Sequence, residues 1–143
     1  MKKIFLLIIF NVFIFASDIQ DLMAASYDGD LEKVKKLLRM GLKVDVKSSN
    51  NNATALMMAA LNGKLNVVKY LVNHGANVNA KFNMKATPLI IATEQGHIEI
   101  VKYLVNHGAK IDIKDDNYKT AIMYAADKGY KDILNFLKNI SKK

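Results

Sequence analysis

The chain has 143 residues, of which 51% are hydrophobic, with a formal net charge of +8 and no cysteine. This length suits one domain with a modest core, and the apolar fraction excludes a disordered chain. The absence of cysteine excludes a disulfide scaffold, thiol catalysis, cysteine-ligated zinc and the lipid-modified cysteine of a lipoprotein.

The first seventeen residues have the three-part pattern of a secretory signal peptide. Two lysines precede the apolar run 4–15, and Ala16 and Ser17 supply small residues for cleavage. An uncleaved membrane anchor is one alternative, but a span needs about 20 apolar residues. A buried helix is the other, but the run is apolar on every side rather than along one stripe. We therefore expect residues 1–17 to be a signal peptide, and the mature protein to be periplasmic or otherwise exported, without a membrane span.

Positive charge is concentrated between Lys33 and Lys85. Between Lys33 and Lys85 there are ten Lys or Arg and a single acid, Asp45, whereas acids collect in the last third. A basic half could attract an acidic protein, a membrane surface or nucleic acid. A solvated lysine-rich back face accounts for the same pattern. Nucleic acid is not expected as the partner of an exported protein whose sequence lacks a basic stripe regularly interleaved with aromatic residues.

A period of 33 residues dominates the chain after the signal peptide. Residues 68–76 recur unchanged as 101–109, and Thr54, Thr87 and Thr120 are spaced by 33. Such a period indicates one supersecondary unit that is stacked several times. Alignment on the glycines defines four units, approximately 18–47, 48–81, 82–114 and 115–143.

Each unit is predicted to be a pair of helices. In the second unit, Thr54 precedes a short apolar helix that ends near Gly63, and a second helix with apolar residues at helical spacing ends near Gly75. Gly75 lies where a left-handed residue commonly closes a helix, so Gly75→Val should destabilise the protein more than Gly63→Ala, because a β-branched residue resists a positive φ. In the third unit, Thr87 can cap a helix whose first residue is proline.

These motifs resemble the ankyrin repeat, and the resemblance covers residues 18–143. The third unit carries it most fully, in Thr87-Pro88-Leu89, Gly96-His97 and Gly108-Ala109. The family's histidine after Thr-Pro-Leu is replaced by Met57, Ile90 and Met123, and its turn glycine by Asn52, Lys85 and Tyr118. The resemblance implies an all-α solenoid of four stacked helix-turn-helix units, linked by short hairpin loops, after an N-terminal signal peptide.

The same resemblance implies a non-catalytic module that binds another protein. Partners would dock on the concave face, which is formed by the hairpin tips and the exposed sides of the first helices. The partner of a monomeric, exported array would be an exported or envelope protein that it regulates or protects. Small bacterial ankyrin proteins that resemble this one include helpers of haem catalases. An assembly factor or carrier that helps a cofactor such as haem reach an enzyme such as catalase is therefore the alternative.

The residues that could suggest chemistry have structural explanations, and we assign no catalytic, metal or cofactor site. His74 and His107 occupy one slot of adjacent units, about 10 Å apart, too far to share a metal ion. Asp112, Asp115 and Asp116 lack the loop spacing of a calcium site and are expected to be solvated turn residues. Core or near-core positions are expected for Met23, Met57, Met58 and Met123, and packing between units for Tyr70 and Tyr103.

Partner contacts should lie where the units differ from one another and where side chains point into the concave face. Tyr27, Leu61 and Met84 are large apolar groups at slots expected to be exposed, and an apolar anchor inside a polar rim is typical of an interface hot spot. The full set of expected contacts is Tyr27, Asp28, Asn50, Asn51, Ala53, Leu61, Asn62, Asn83, Met84, Ala86, Glu94, Gln95, Asp116, Asn117, Lys119, Asp127 and Lys128.

Overall fold

A computed structural model describes residues 16–143, which form four pairs of helices and contain no strand. The first pair is α1, described over residues 16–28, and α2, Leu31–Arg39. The later pairs are α3 (Ala55–Leu61) with α4 (Leu65–Asn73), α5 (Pro88–Glu94) with α6 (Ile98–Asn106), and α7 (Ala121–Lys128) with α8 (Lys131–Ser141). The apolar run 4–15 of the expected signal peptide lies outside the described residues. Among the helices of residues 16–143, none combines the length and the hydropathy needed to cross a bilayer.

The first helix of each of the last three units begins at a threonine, as the sequence predicts. The hydroxyl oxygens of Thr54, Thr87 and Thr120 accept hydrogen bonds from the backbone N–H three residues later, at 3.4, 3.3 and 3.5 Å. These bonds satisfy donors that the first turn of a helix leaves without a partner. The first two hydroxyls are buried, so the caps also hold the hairpins against the helices.

The core lies between successive units and is lined by the apolar stripes of the helices. Leu71, Leu104 and Leu137, in the same slot of α4, α6 and α8, are completely buried. Met57 and Ile90, which replace the family's histidine, are also buried. The buried side chains lie where the helices of neighbouring units pack together, as expected for a stacked array.

The prediction of core or near-core positions for the methionines holds for three of the four. Met23 and Met57 are buried and Met58 is half-buried. Met123 is 45% exposed, so the prediction is wrong for this residue. In α3 and α5, the corresponding side of the helix is covered by the following unit. No later helix of the described chain packs against that side of α7, which carries Met123.

Histidine and tyrosine side chains pair at the C-terminal ends of α4 and α6, and Tyr103 also connects its unit to the preceding one. The Nδ1 atoms of His74 and His107 donate to the carbonyl oxygens of Tyr70 and Tyr103 at 2.7 Å, and each imidazole stacks on that tyrosine ring. The Tyr103 hydroxyl donates to Asn73 Oδ1 of the preceding unit at 2.9 Å. The two histidines cap their helices at the C-terminal end, and the expected structural role of these residues is confirmed.

The glycines that end the helices all have positive φ, as expected for Gly75, so a left-handed backbone does not by itself distinguish Gly75 from Gly63. Their φ values are 87° and 69°, and both lie in the left-handed region that favours glycine. The surroundings differ instead. A Cβ atom at Gly63 would lie 2.7 Å from Cε1 of His97, whose Nε2 donates to the Leu61 carbonyl of the preceding unit, whereas a Cβ atom at Gly75 would meet nothing within 4 Å.

Gly63→Ala should therefore destabilise the protein more than Gly129→Ala. The two residues have similar φ values, 69° and 74°, but only Gly63 faces His97, while the space around Gly129 is open. Displacing a packed side chain typically costs about 1–3 kcal/mol beyond the backbone strain that both variants share. Urea unfolding of the two variants measures the difference, and equal losses would show that the contact with His97 relaxes freely.

Candidate protein-binding surface

The hairpin tips of successive units are joined by hydrogen bonds into one ridge, defined by residues 50–53, 83–86 and 116–119. The Asn83 N–H donates to the Asn51 carbonyl at 3.3 Å, and the Asp116 N–H donates to the Met84 carbonyl at 3.0 Å. The Asn52 carboxamide donates to Asn83 Oδ1 at 3.1 Å. These bonds fix the spacing of the tips, so the ridge presents its side chains in a set order.

Non-glycine residues occupy the left-handed positions of this ridge. Asn52, Lys85 and Tyr118, which replace the family's turn glycine, have φ values of 58°, 55° and 60°, and Met84 has 68°. The turns therefore keep their shape without glycine, although such backbone is unfavourable for residues other than glycine, asparagine and aspartate. Strained residues of this kind often cluster at functional sites.

The C-terminal ends of the first helices are joined in the same way. The Asn62 carboxamide donates to the Tyr27 carbonyl at 2.8 Å, which ties the end of α3 to the end of α1. His97 ties the end of α3 to the start of α6 through the Leu61 carbonyl at 3.3 Å. The concave face, consisting of the ridge and these helix ends, therefore has a hydrogen-bonded backbone beneath its variable side chains.

The three expected anchor residues are exposed on this face. Tyr27 is 40% exposed, Leu61 38% and Met84 58%. Met58 lies one helical turn before Leu61 and is half-buried beside it, because residues three apart share a helix face. Met58 therefore agrees with its expected near-core position and is also partly accessible beside Leu61.

Not every expected contact residue can reach a partner. Ala53 is only 1% exposed and its N–H donates to Ser48 Oγ at 3.0 Å, so it closes the hairpin and is excluded from the contact set. Asn51 is half-buried, and its Oδ1 accepts from Ser48 Oγ and from the Ala53 N–H. Ala86, at the same hairpin position as Ala53, is also half-buried. The sequence identified the hairpin but not which of its side chains turn inward.

Three of the six charged members of the set, Asp116, Lys119 and Asp127, lie in ion pairs in the last two units. Lys85 Nζ lies 3.0 Å from Asp116 Oδ1, and Lys119 Nζ lies 2.7 Å from Asp127 Oδ2. The hydrogen bond to Asp127 raises the pKa of Lys119 above its usual value. These pairs are exposed, so they contribute little to stability and leave their charges available at the surface. The remaining polar members are Asp28, Asn50, Gln95, Asn117 and Lys128, which are exposed, and Glu94, which is half-buried.

Tyr118 is the most exposed large apolar residue of the described chain, at 78%, and the sequence analysis did not include it. It lies at the tip of the last hairpin, between Asn117 and Lys119, which were included. The signal that could have identified it was the replacement of a turn glycine by a large aromatic residue.

Asp115 is buried, which corrects the expectation of a solvated turn residue; Asp112 and Asp116 are exposed as expected. The Asp115 carboxylate accepts a hydrogen bond from the Tyr124 hydroxyl at 2.5 Å and from the N–H groups of Asn117 and Lys119 at 2.9 and 3.0 Å. Burial raises the pKa of Asp115, but these hydrogen bonds together lower it below its ordinary value of 3.8. The hydrogen bond from the Tyr124 hydroxyl to Asp115 raises the pKa of Tyr124.

Asp115→Ala should lower the free energy of unfolding by about 1–3 kcal/mol, because it leaves the Tyr124 hydroxyl and two backbone N–H groups without their acceptor. The pKa of Asp115 is lower in the folded protein than in the unfolded chain, so its charge contributes fully to the free energy of unfolding above about pH 4. That contribution is lost as the pH falls through the folded-state pKa. Asp115→Asn keeps an acceptor oxygen and removes the charge. Its stability should therefore fall less than that of the unchanged protein between pH 4 and pH 2. If the free energies of unfolding of the two proteins fell in parallel over this pH range, the prediction would be contradicted.

Within residues 16–143, no three side chains of His, Cys, Asp or Glu lie close enough together to hold a metal ion. The described surface thus consists of exposed apolar side chains, amides and ion pairs on a hydrogen-bonded frame. Such a surface can bind a protein by shape and apolar burial.

Comparison with known proteins agrees with this geometry. The family model described as ankyrin repeats in three copies matches residues 22–115 and 84–143. The chain belongs to the ankyrin-repeat family, whose helix pairs commonly form a module for protein–protein interaction.

The curated relatives match only parts of the chain. A palmitoyltransferase, akr1 of Schizosaccharomyces pombe, is 43% identical over 60 residues, which are 41% of this chain and 9% of that protein. The ankyrin repeat and KH domain-containing protein mask-1 of Caenorhabditis elegans is 37% identical over 62 residues, 43% of this chain and 2% of that protein. A putative ankyrin repeat protein, R896 of Acanthamoeba polyphaga mimivirus, is 42% identical over 55 residues, 38% of this chain and 16% of that protein. The chain therefore spans less than a fifth of the length of these relatives.

Proposed function

We propose that this protein is an exported, non-catalytic module that docks a partner protein on the concave face and regulates or protects that partner in the cell envelope. The observation that carries the proposal is the set of exposed apolar side chains Tyr27, Leu61 and Met84 on a frame of amides and ion pairs. Large apolar groups inside a polar rim provide most of the energy in typical protein interfaces. Because hydrogen bonds between units already fix the backbone that carries these side chains, the chain should need little further ordering when a partner binds.

Export rests on the pattern of residues 1–17, and its test is direct. Intact-mass measurement of the envelope fraction should find a protein that lacks about the first 16 residues. Full-length protein in the cytosol would contradict export. It would leave the docking surface unaffected, because that surface belongs to residues 16–143.

Site-specific crosslinking tests docking on the concave face. A photo-reactive amino acid at Tyr27 or Gln95, expressed in the native host, should capture one protein in stoichiometric amounts. The matched positions Asn66 and Lys138, which are exposed on α4 and α8, should not capture that protein. Equal capture from both pairs of positions would show that the partner does not recognise the concave face.

A second measurement, on the captured complex and on the isolated protein, tests the alternative that this protein carries a cofactor to its partner. Absorbance spectra of the purified complex and of the isolated protein should show no haem or other chromophore if the protein is a plain binding module. A stoichiometric chromophore on the isolated protein would favour a carrier that delivers a cofactor to its partner.

A further inference from the structure

The loops between the second helix of one unit and the first helix of the next carry a row of lysines in their first halves, before the tips that form the ridge. Residues 43–47, 77–81 and 110–114 are equivalent in three successive units. They carry five exposed lysines, which we call the basic edge: Lys43, Lys47, Lys81, Lys110 and Lys114. Within the described part of the chain, none of the five has a carboxylate within 4.0 Å, unlike the lysines of the ridge.

Hydrogen bonds between units hold this row in place. The Asn77 N–H donates to Asp45 Oδ1 at 2.9 Å, and the Lys110 N–H donates to Asn79 Oδ1 at 2.9 Å. The Asn79 carboxamide also donates to the Gly108 carbonyl at 3.1 Å. The loops are therefore stacked in register, and the lysines follow one another at the spacing of the units, about 10 Å.

The charge of the basic edge contrasts with that of the concave face. The edge has five lysines and two acids, Asp45 and Asp112, of which Asp45 is half-buried on a backbone N–H. The concave face has four acids, Asp28, Glu94, Asp116 and Asp127, against three lysines, Lys85, Lys119 and Lys128. The basic edge therefore has a net charge of +3 and the concave face a net charge of −1, whereas the residues from 18 onward together carry +6 once Lys2 and Lys3 are removed from +8.

We infer that the basic edge binds the anionic headgroups of a lipid bilayer, independently of the partner on the concave face. Half-buried aliphatic residues alternate with the lysines, as in Lys43-Val44 and Ile113-Lys114. Flexible ammonium groups with short aliphatic side chains between them suit a membrane interface, where each lysine near an anionic surface contributes separately. Nucleic-acid surfaces typically add arginine and exposed aromatic rings for stacking, and the basic edge has neither.

The test measures partitioning of the protein, as isolated from its cells, onto two kinds of vesicle. One contains phosphatidylcholine alone and the other adds 30 mol% phosphatidylglycerol, a composition of about one anionic lipid in three. The ratio of the two partition coefficients is the readout, and comparing it between variants cancels any contribution from residues 1–17, which the variants share. We expect the ratio to exceed 10 at low salt and to fall at least about tenfold at 0.5 M salt, because screening shortens the range of the attraction.

Two triple variants with the same net charge locate the site. Replacing Lys47, Lys81 and Lys114 by glutamine should lower the ratio by about 100-fold, or bring it to one, since three surface lysines are removed. Replacing Lys69, Lys128 and Lys138, which are exposed on α4, α7 and α8, should change it less than about threefold. Thermal unfolding should be the same for both, because no replaced side chain is buried.

Three outcomes would overturn the inference. Equal effects of the two triple variants would mean that net charge alone is responsible. A ratio of one for the unchanged protein would mean that the edge does not bind anionic lipid. Release from the vesicles by RNA at an equal phosphate concentration would assign the edge to nucleic acid. Capture of a protein at Tyr27 or Gln95 does not use the lysines of the basic edge, so this inference and the proposed function fail separately.

Discussion

Replacement of Leu71 or Leu104 by alanine should lower the free energy of unfolding by about 2–5 kcal/mol, the usual cost of truncating a buried leucine. Both side chains are completely buried on the apolar stripes of α4 and α6. They contact the neighbouring units, so each truncation leaves a cavity in an interface between helix pairs. Because an array depends on such interfaces, the loss should appear as a shift of the whole urea transition.

Asn66→Ala is the matched control for Leu71→Ala. Asn66 is exposed on the same helix, and its truncation removes no buried surface, so the change should stay within about 0.5 kcal/mol. A loss below 0.5 kcal/mol for both leucine variants would show that the interior of the array has been assigned to the wrong helix faces.

The double variant Tyr27→Ala, Leu61→Ala should lower the affinity for the captured partner protein by more than about 2 kcal/mol. These side chains lie at the same slot of adjacent units and are partly exposed, so a partner can bury both at once. The carbonyl groups that accept from Asn62 and His97 belong to the backbone and remain in the variant. Calorimetric titration of the purified partner measures the change, and a thermal melt confirms that the array is folded.

Lys36→Ala and Lys69→Ala provide the comparison for this prediction. Both lysines are exposed on second helices, away from the ridge and the ends of the first helices, and their removal should change the affinity little. If the affinity followed these lysines instead and fell steeply with salt, an electrostatic surface on the second helices would replace the concave face as the docking site.

Several features of the fold are local, and for that reason the sequence predicted them. Thr54 and Thr87 cap their helices because a hydroxyl can reach the N–H three residues ahead whatever surrounds it. Gly75 ends α4 with a positive φ because a left-handed residue closes the last turn. The 33-residue period fixed the number of units, since each repeat of the pattern must form the same structure.

Other properties depend on which unit lies beside a residue, and sequence patterns do not carry that information. Met57 and Met123 share a slot, yet only Met57 is covered by a following helix pair. Gly63 is more restricted than Gly129 because His97 of the next unit lies against it. Asp115 can be buried because the Tyr124 hydroxyl from α7 donates to its carboxylate, in addition to two backbone N–H groups of its own hairpin.

The sequence by itself determined that this protein is a stacked array with capped helices and variable tips, because helix ends and periodicity are set within one unit. Only the tertiary structure decided which variable residues are available to a partner. It buried Ala53 in its hairpin and exposed Tyr118 at the last tip. It also aligned Lys47, Lys81 and Lys114 along one edge through hydrogen bonds between successive loops. The physical reason is that exposure and charge alignment arise from the packing of neighbouring units, and a residue's position within its own unit does not specify its neighbours.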